Sequence, residues 1–133
     1  MPNVLDACAI IALARGESGA DRLEEILLEN HSTFFIHAVN LCEVYYSFYR
    51  ASGKSVADEL VNDVVTAGII VRADLDEPFW KLVGELKATL AIPLPDAFAS
   101  ALAQRCKGDV VTGDHDHFDK IAQKGICGVC FFR

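Results

Sequence analysis

The stretch NVLDACAIIALARG, residues 3–16, decides how the rest of the chain is read. Val4-Leu5 has the character of a short buried strand, and Ala7 to Ala14 is an Ala/Ile/Leu-rich run of helical length. A strand passing straight into a helix is the first half of a βα unit. Between the two stands Asp6, a carboxylate where the flanking residues are all apolar. It either caps the helix or marks a place where chemistry is done.

Outward from this stretch the same alternation continues. Thr33 to His37, Gly68 to Arg72, Asp109 to Thr112 and Ile126 to Phe132 are rich in β-branched or aromatic residues and have the length of buried strands. Helical patterns fill the intervals: Ser18 to Asn30, Val39 to Ala51 with Leu41, Val44, Tyr45 and Phe48 on one stripe, Ser55 to Ala67, Glu77 to Leu90, and Asp96 to Cys106. Strands separated by helices require crossover connections. The expected fold class is therefore α/β: a three-layer α/β/α sandwich with a mostly parallel central sheet of four to five strands. Repeats and low-complexity tracts are absent, and Ile92-Pro93-Leu94-Pro95 reads as a hinge between two helices. One domain over residues 1–133 is expected.

The chain carries 19 acidic and 12 basic side chains, a formal charge of −7, which repels nucleic acid unless bound cations reverse the sign locally. This excludes a passive nucleic-acid coat protein and leaves open an enzyme that holds cations with its own carboxylates. Neither a bilayer-spanning apolar run nor a secretory leader is evident, so the expected location is cytoplasmic, with no membrane partner. Five cysteines, mostly within apolar runs, suit buried thiols in a reducing compartment.

In open parallel sheets, ligands gather at the carboxyl ends of the strands. Asp6 follows the first strand, Asp114 follows the strand ending at Thr112, Asp96 begins a helix, and Glu43 shares a polar helix side with Asn40 and Ser47. Each has a plain structural explanation: an aspartate before an apolar helix is a good N-cap, and a glutamate on a helix is ordinarily a solvated charge. Capping needs do not predict all four together. Carboxylates crowded together raise one another's pKa unless a counter-charge intervenes, and a hard cation, Mg²⁺ or Mn²⁺, is the natural one.

These residues lie in four short motifs: Val4-Leu-Asp6-Ala-Cys8, Asn40-Leu-Cys-Glu43-Val44, Leu94-Pro-Asp96-Ala97, and Thr112-Gly-Asp114 ahead of Phe118. In that order and spacing they resemble the PIN-domain family, most closely its VapC-type toxin ribonucleases, nearly end to end. The resemblance implies that Asp6, Glu43, Asp96 and Asp114 form a catalytic acidic quartet holding Mg²⁺ or Mn²⁺. It makes Asp116 a fifth candidate ligand, which equally suits a turn or helix start. The implied activity is metal-dependent hydrolysis of single-stranded RNA, with a homodimer restrained by a cognate antitoxin. Thr112, Asn40 and Cys8 are expected to support the ligands. At Cys8 many relatives carry serine or threonine, a stronger hydrogen-bond partner, which puts fine positioning rather than the site itself in question.

Other features have simpler explanations. Cys127 and Cys130 read as buried thiols, pointing to opposite faces if the segment is a strand. His115 and His117 are expected on a solvated loop beside the acidic site, and His31 and His37 show no partner pattern. Tyr46 and Tyr49 fall off their helix's core stripe and are candidates for a dimer or antitoxin contact. The basic residues Arg15, Arg50, Lys54, Arg72, Lys87, Arg105 and Lys107 form no stripe. Two rival functions remain: an α/β protein-binding module without catalysis, and a haloacid-dehalogenase-like phosphatase. The latter needs a second aspartate where Cys8 stands.

Overall fold

A computed structural model of the chain describes residues 2–29 and 32–133. The elements alternate as anticipated. β1 (Pro2–Leu5), β2 (Thr33–His37), β3 (Ile70–Arg72), β4 (Asp109–Thr112) and β5 (Gly128–Phe131) are joined by α1 (Ala7–Arg15), α2 (Ala20–Leu27), α3 (Ala38–Ser52), α4 (Lys54–Thr66), α5 (Glu77–Leu90), α6 (Leu94–Cys106) and α7 (His115–Gln123). The five strands form one sheet in the order β3-β2-β1-β4-β5, and every pairing is parallel.

Successive residues of β1 point to opposite faces, and that alternation builds the three layers. Leu5 packs with Ile10, Leu23, Val44, Val64 and Val111 on one face, whereas Val4 packs with Phe79, Val83, Leu102, Val110 and Phe118 on the other. All of these are buried, and their removal from water is the main force holding helices to both sides of the sheet.

α6 needs the closest approach. Every residue from Asp96 to Ala103 is buried, which the small side chains of Ala97, Ala99, Ser100, Ala101 and Ala103 permit. The Pro93–Pro95 hinge is sharper than a loop: Pro93 caps α6, and Pro95 lies within its first turn.

Several boundaries differ from the expected ones. The second helix begins at Ala20 rather than Ser18, because Gly19 adopts a left-handed φ of 88° before it. Its expected end at Asn30, like His31, lies outside the described residues. β3 and β5 are shorter than their apolar runs. α7 occupies a segment expected to be a solvated loop; Phe118 and Ile121 bury one side of it. Cys130 packs on one face of the sheet and Cys127 on the other, as expected of a strand, although Cys127 precedes β5. Cys42 is exposed, unlike the other four thiols. Among the described residues, no helix is long and apolar enough to cross a membrane.

Candidate metal-binding active site

Strand order fixes where the acids meet. From central β1 the chain moves outward through β2 and β3, then returns to place β4 on β1's other side, so β1 and β4 flank the switch point. Connections leave in opposite directions there and open a crevice at the carboxyl ends. Asp6 follows β1 and Thr112-Gly113-Asp114 follows β4; the Asp6 N–H donates to the Val111 carbonyl at 3.1 Å, joining the two ends. α3 brings Asn40 and Glu43 from the end of β2, and the first turn of α6 brings Asp96.

Helix capping does not account for these aspartates. Asp6 and Asp114 occupy the N-cap positions of α1 and α7, but neither side chain makes a capping hydrogen bond among the described residues. Asp96 lies inside α6, whose N-cap is Pro93.

Burial, more than mutual repulsion, shapes the charge state of these carboxylates. Burial, the larger effect, and repulsion from Asp6 push Glu43 up to about 7. The same two effects, joined by Asp114 and Glu43 and opposed by His117, raise Asp96 to about 7. Asp6 is raised by burial, with Asp114 adding to the effect and hydrogen bonds from Cys8 and Thr112 opposing it. The four acids therefore lie within reach of one another's charge.

Thr112 ties two of them together. Its hydroxyl donates to Asp6 Oδ2 at 3.1 Å and accepts from the Asp114 N–H at 3.1 Å. Cys8 Sγ lies 3.2 Å from the same hydroxyl and accepts from the Gly113 N–H at 3.2 Å. The thiol thus fills the position expected for a hydroxyl and stays in the network. It remains a thiol: burial, then the charge of Asp6, pushes it up to about 12. A Cβ at Gly113 would lie 2.5 Å from Arg133 Nε and 2.9 Å from Phe132, so a larger residue there would displace the Arg133 side chain and press on the Phe132 ring.

Asn40, fully buried, links the two helices that carry Glu43 and Asp96. Its Nδ2 donates to the Pro95 carbonyl at 3.0 Å and, more weakly, to Glu43 Oε1 at 3.4 Å. Two acceptors on one side fix which end of the amide is nitrogen.

One sequence expectation is revised here. His117, expected on a solvated loop, lies on α7 with Nδ1 2.8 Å from Asp114 Oδ2 and 3.3 Å from Asp96 Oδ2. Its helical position turns it inward. The ligand atoms of Asp96, Asp114 and His117 lie within 4.8 Å of one another; Asp6 and Glu43 are not in that group, and neither is Asp116, which is exposed in the first turn of α7, the helix-start place its sequence context allowed. His115 is instead held by Asp119 and the Arg133 carbonyl and stacks on Phe131. His37 also has partners that its sequence context does not announce. Its Nδ1 accepts from the Val39 N–H, Nε2 reaches the Asp74 carbonyl at 3.0 Å, and its ring stacks on Phe79.

The donor set suits a hard divalent cation. Asp96 is 7% exposed, and its Oδ2 finds no hydrogen-bond partner among the described residues. The 3.3 Å approach of His117 is close enough for charge attraction but lacks hydrogen-bond geometry. A buried carboxylate oxygen without a hydrogen-bond partner, facing other carboxylates, is relieved either by taking up a proton, as the rise of Asp96 to about 7 expresses, or by a bound cation. Carboxylate oxygens are the donors that such a cation takes.

An acidic cluster at the switch point of a parallel sheet defines the class: an α/β/α protein with a carboxylate-lined crevice. The family model for the PIN domain matches residues 4–124, and the chain belongs to the PIN-domain family. No curated protein matches it in sequence. Among solved structures, it is similar to VapBC2 from Rickettsia felis bound to a DNA fragment from their promoter, with TM-score 0.75 and 18% identity over 98% of each chain. It is similar to DNA-bound VapBC from Salmonella typhimurium, with TM-score 0.75 and 15% identity over 100% of this chain and 99% of that one. It is also similar to Mycobacterium tuberculosis VapC20, a sarcin-ricin loop cleaving toxin, with TM-score 0.73 and 12% identity over 89% and 94% of the two chains. At these identities the likeness is one of fold.

Proposed function

We propose that this protein is a metal-dependent endoribonuclease of the VapC kind, a single PIN domain that hydrolyses single-stranded RNA and is restrained by a cognate antitoxin. The observation that carries the reading is the buried Asp96 oxygen, without a hydrogen-bond partner among the described residues, grouped with Asp114 and under the charge of Asp6 and Glu43. Membership of the PIN-domain family and the likeness in fold to VapBC assemblies support the toxin–antitoxin setting.

In this reading the four carboxylates hold Mg²⁺ or Mn²⁺. When bound, the cation supplies Lewis-acid activation of water and neutralises charge developing on the phosphodiester. The chain's own contribution is positioning. Thr112 orients Asp6 through its hydroxyl and Asp114 through its backbone N–H, while Asn40 holds Glu43 near the first turn of α6. Burial withholds water from Asp6 and Asp96, which strengthens their electrostatic effect on anything bound between them. Without a cation the same acids repel an RNA backbone, so substrate grip and catalysis share one requirement. Asp116 is assigned no ligand role. A cytoplasmic homodimer, with Tyr46 and Tyr49 at the dimer or antitoxin contact, completes the proposal.

The test is RNA cleavage by purified protein with and without Mn²⁺, beside Asp6→Asn. Cleavage that requires the ion and disappears in the variant is expected. Failure to cut any RNA, structured transfer RNA included, would reject the nuclease in favour of a protein-binding module.

A further inference from the structure

His117 lies outside the acidic quartet. As a contact within one helix, its 2.8 Å approach to Asp114 Oδ2 would be an ordinary pairing of an N-cap residue with the third residue after it. A second carboxylate makes it more. Asp96, on a different helix, directs a buried Oδ2 that has no hydrogen-bond partner among the described residues at the same nitrogen from 3.3 Å. The imidazole nitrogen has hydrogen-bond geometry to Asp114 but not to Asp96, whose Oδ2 is left with charge attraction alone. A cation among the three atoms satisfies all of them together. The separations of 2.8 and 3.3 Å bracket the edge of about 3 Å expected between neighbouring ligands around an ion with bonds of about 2.1 Å.

We infer that His117 Nδ1 is a direct ligand, with Asp96 and Asp114, of the cation held at this site, and that this nitrogen biases the site towards transition-metal ions over Mg²⁺. The bias follows from ligand chemistry. Mg²⁺ prefers oxygen donors and retained waters, whereas imidazole binds first-row transition ions such as Co²⁺ and Zn²⁺ far better. The side chain is 37% exposed at the mouth of the site, so it can turn to meet an ion without disturbing the core. The inference rests on the acidic site holding a cation, as proposed above, and adds to that reading both a ligand and a selectivity.

The experiment measures binding rather than turnover. Pulsed electron paramagnetic resonance of bound Mn²⁺ reads directly coordinated ¹⁴N, and calorimetric titration compares Co²⁺ with Mg²⁺ in wild type, His117→Ala and His117→Gln. The Gln variant can still donate a hydrogen bond to Asp114, so a purely structural role for His117 would be rescued by it, whereas nitrogen ligation would not. Expected are a nitrogen coupling in wild type that both variants lose, and a Co²⁺ affinity that falls about 10–100-fold in both. Mg²⁺ affinity should change by less than about threefold, because oxygen ligands and waters carry it. Mn²⁺ binding without nitrogen coupling, or variants with the wild-type Co²⁺/Mg²⁺ preference, would overturn the inference and leave the acidic site standing. Wild-type protein that binds none of these ions would overturn both.

Discussion

The Thr112 hydroxyl donates to Asp6 Oδ2 at 3.1 Å, a bond between the ends of two adjacent strands that are far apart in sequence. Because Thr112 is fully buried and its oxygen also accepts the Asp114 N–H, deleting it strips a partner from two acids together. Thr112→Val keeps the shape and removes only the polar group. Loss of about 1–3 kcal/mol of stability is expected from the partners left unsatisfied. Mn²⁺ affinity should drop about 10–100-fold, as for other groups that orient metal ligands. Thr112→Ser should restore most of both, as read by denaturant titration and calorimetry.

Asp96→Asn separates stability from activity. The carboxylate is raised to about 7 because burial and its acidic neighbours oppose its charge, so the ionised form burdens the ion-free fold. Replacing it with a neutral amide should stabilise the ion-free protein at pH 8 by about 0.5–2 kcal/mol, the usual gain when a functional strain is relieved. The same variant should lose Mn²⁺-dependent RNA cleavage. Thermal melts in chelator, set beside a cleavage assay, check both; a variant that melts lower than wild type would contradict the electrostatic account.

The pH dependence has a definite sign. Glu43 and Asp96 have folded pKa values raised to about 7 from ordinary values of 4.5 and 3.8. Their contribution to stability is therefore complete below those ordinary values and lost as pH rises through about 7. Asp74 and Asp76 behave oppositely: hydrogen bonds from Arg72 and Arg105 respectively lower them, Asp76 to about 2, so their contribution is lost as pH falls below the ordinary value of 3.8. In chelator, melting temperature should decline between pH 5 and 8, about the range over which the raised groups titrate. Added Mg²⁺ or Mn²⁺ should flatten that decline, because cation binding favours the ionised carboxylates.

Tyr46 and Tyr49 are 42% and 48% exposed on α3, off the stripe that buries Val44 and Phe48. Tyr46 lies under the Arg50 guanidinium, while Tyr49 leans on Tyr45. Such rings are suited to protein contact. The double variant Tyr46→Ala, Tyr49→Ala should weaken self-association or antitoxin capture without lowering stability, as measured by light scattering and co-purification. If both are unchanged, the contact lies elsewhere.

What the sequence made legible follows from which signals are local. Asp6, Asp96 and Asp114 could be placed at strand or helix ends because each adjoins a clear apolar run, and the alternation of those runs implied the parallel sheet. α7 was missed because seven of its nine residues are polar or small: HDHFDKIAQ buries only Phe118 and Ile121. Their i, i+3 spacing, with Asp116 in the first turn and Lys120 in the last, was the available signal. Missing that helix also misplaced His117, whose inward direction depends on helical phase. His37 was illegible for another reason: its partners are a backbone N–H and a backbone carbonyl, and no pattern of side chains encodes either.

Asn40 offers the sharpest test of how the helices hold the site. Its Nδ2 bonds the Pro95 carbonyl beside Asp96 and also approaches Glu43, so one amide spans α3 and α6. Asn40→Ala orphans the carbonyl but also removes Oδ1, a buried acceptor without a partner among the described residues, and these effects partly cancel in stability. The net loss should be modest, about 1 kcal/mol. Asn40→Asp keeps the size while turning the donor into an acceptor facing a carbonyl and a carboxylate. It should destabilise more than alanine, and increasingly so as pH rises and the new carboxylate ionises. Both variants should weaken Mn²⁺ binding, because Glu43 and Asp96 lose their common tether. Equal stability of the two variants at pH 8 would mean that the amide's donor is not what joins the helices.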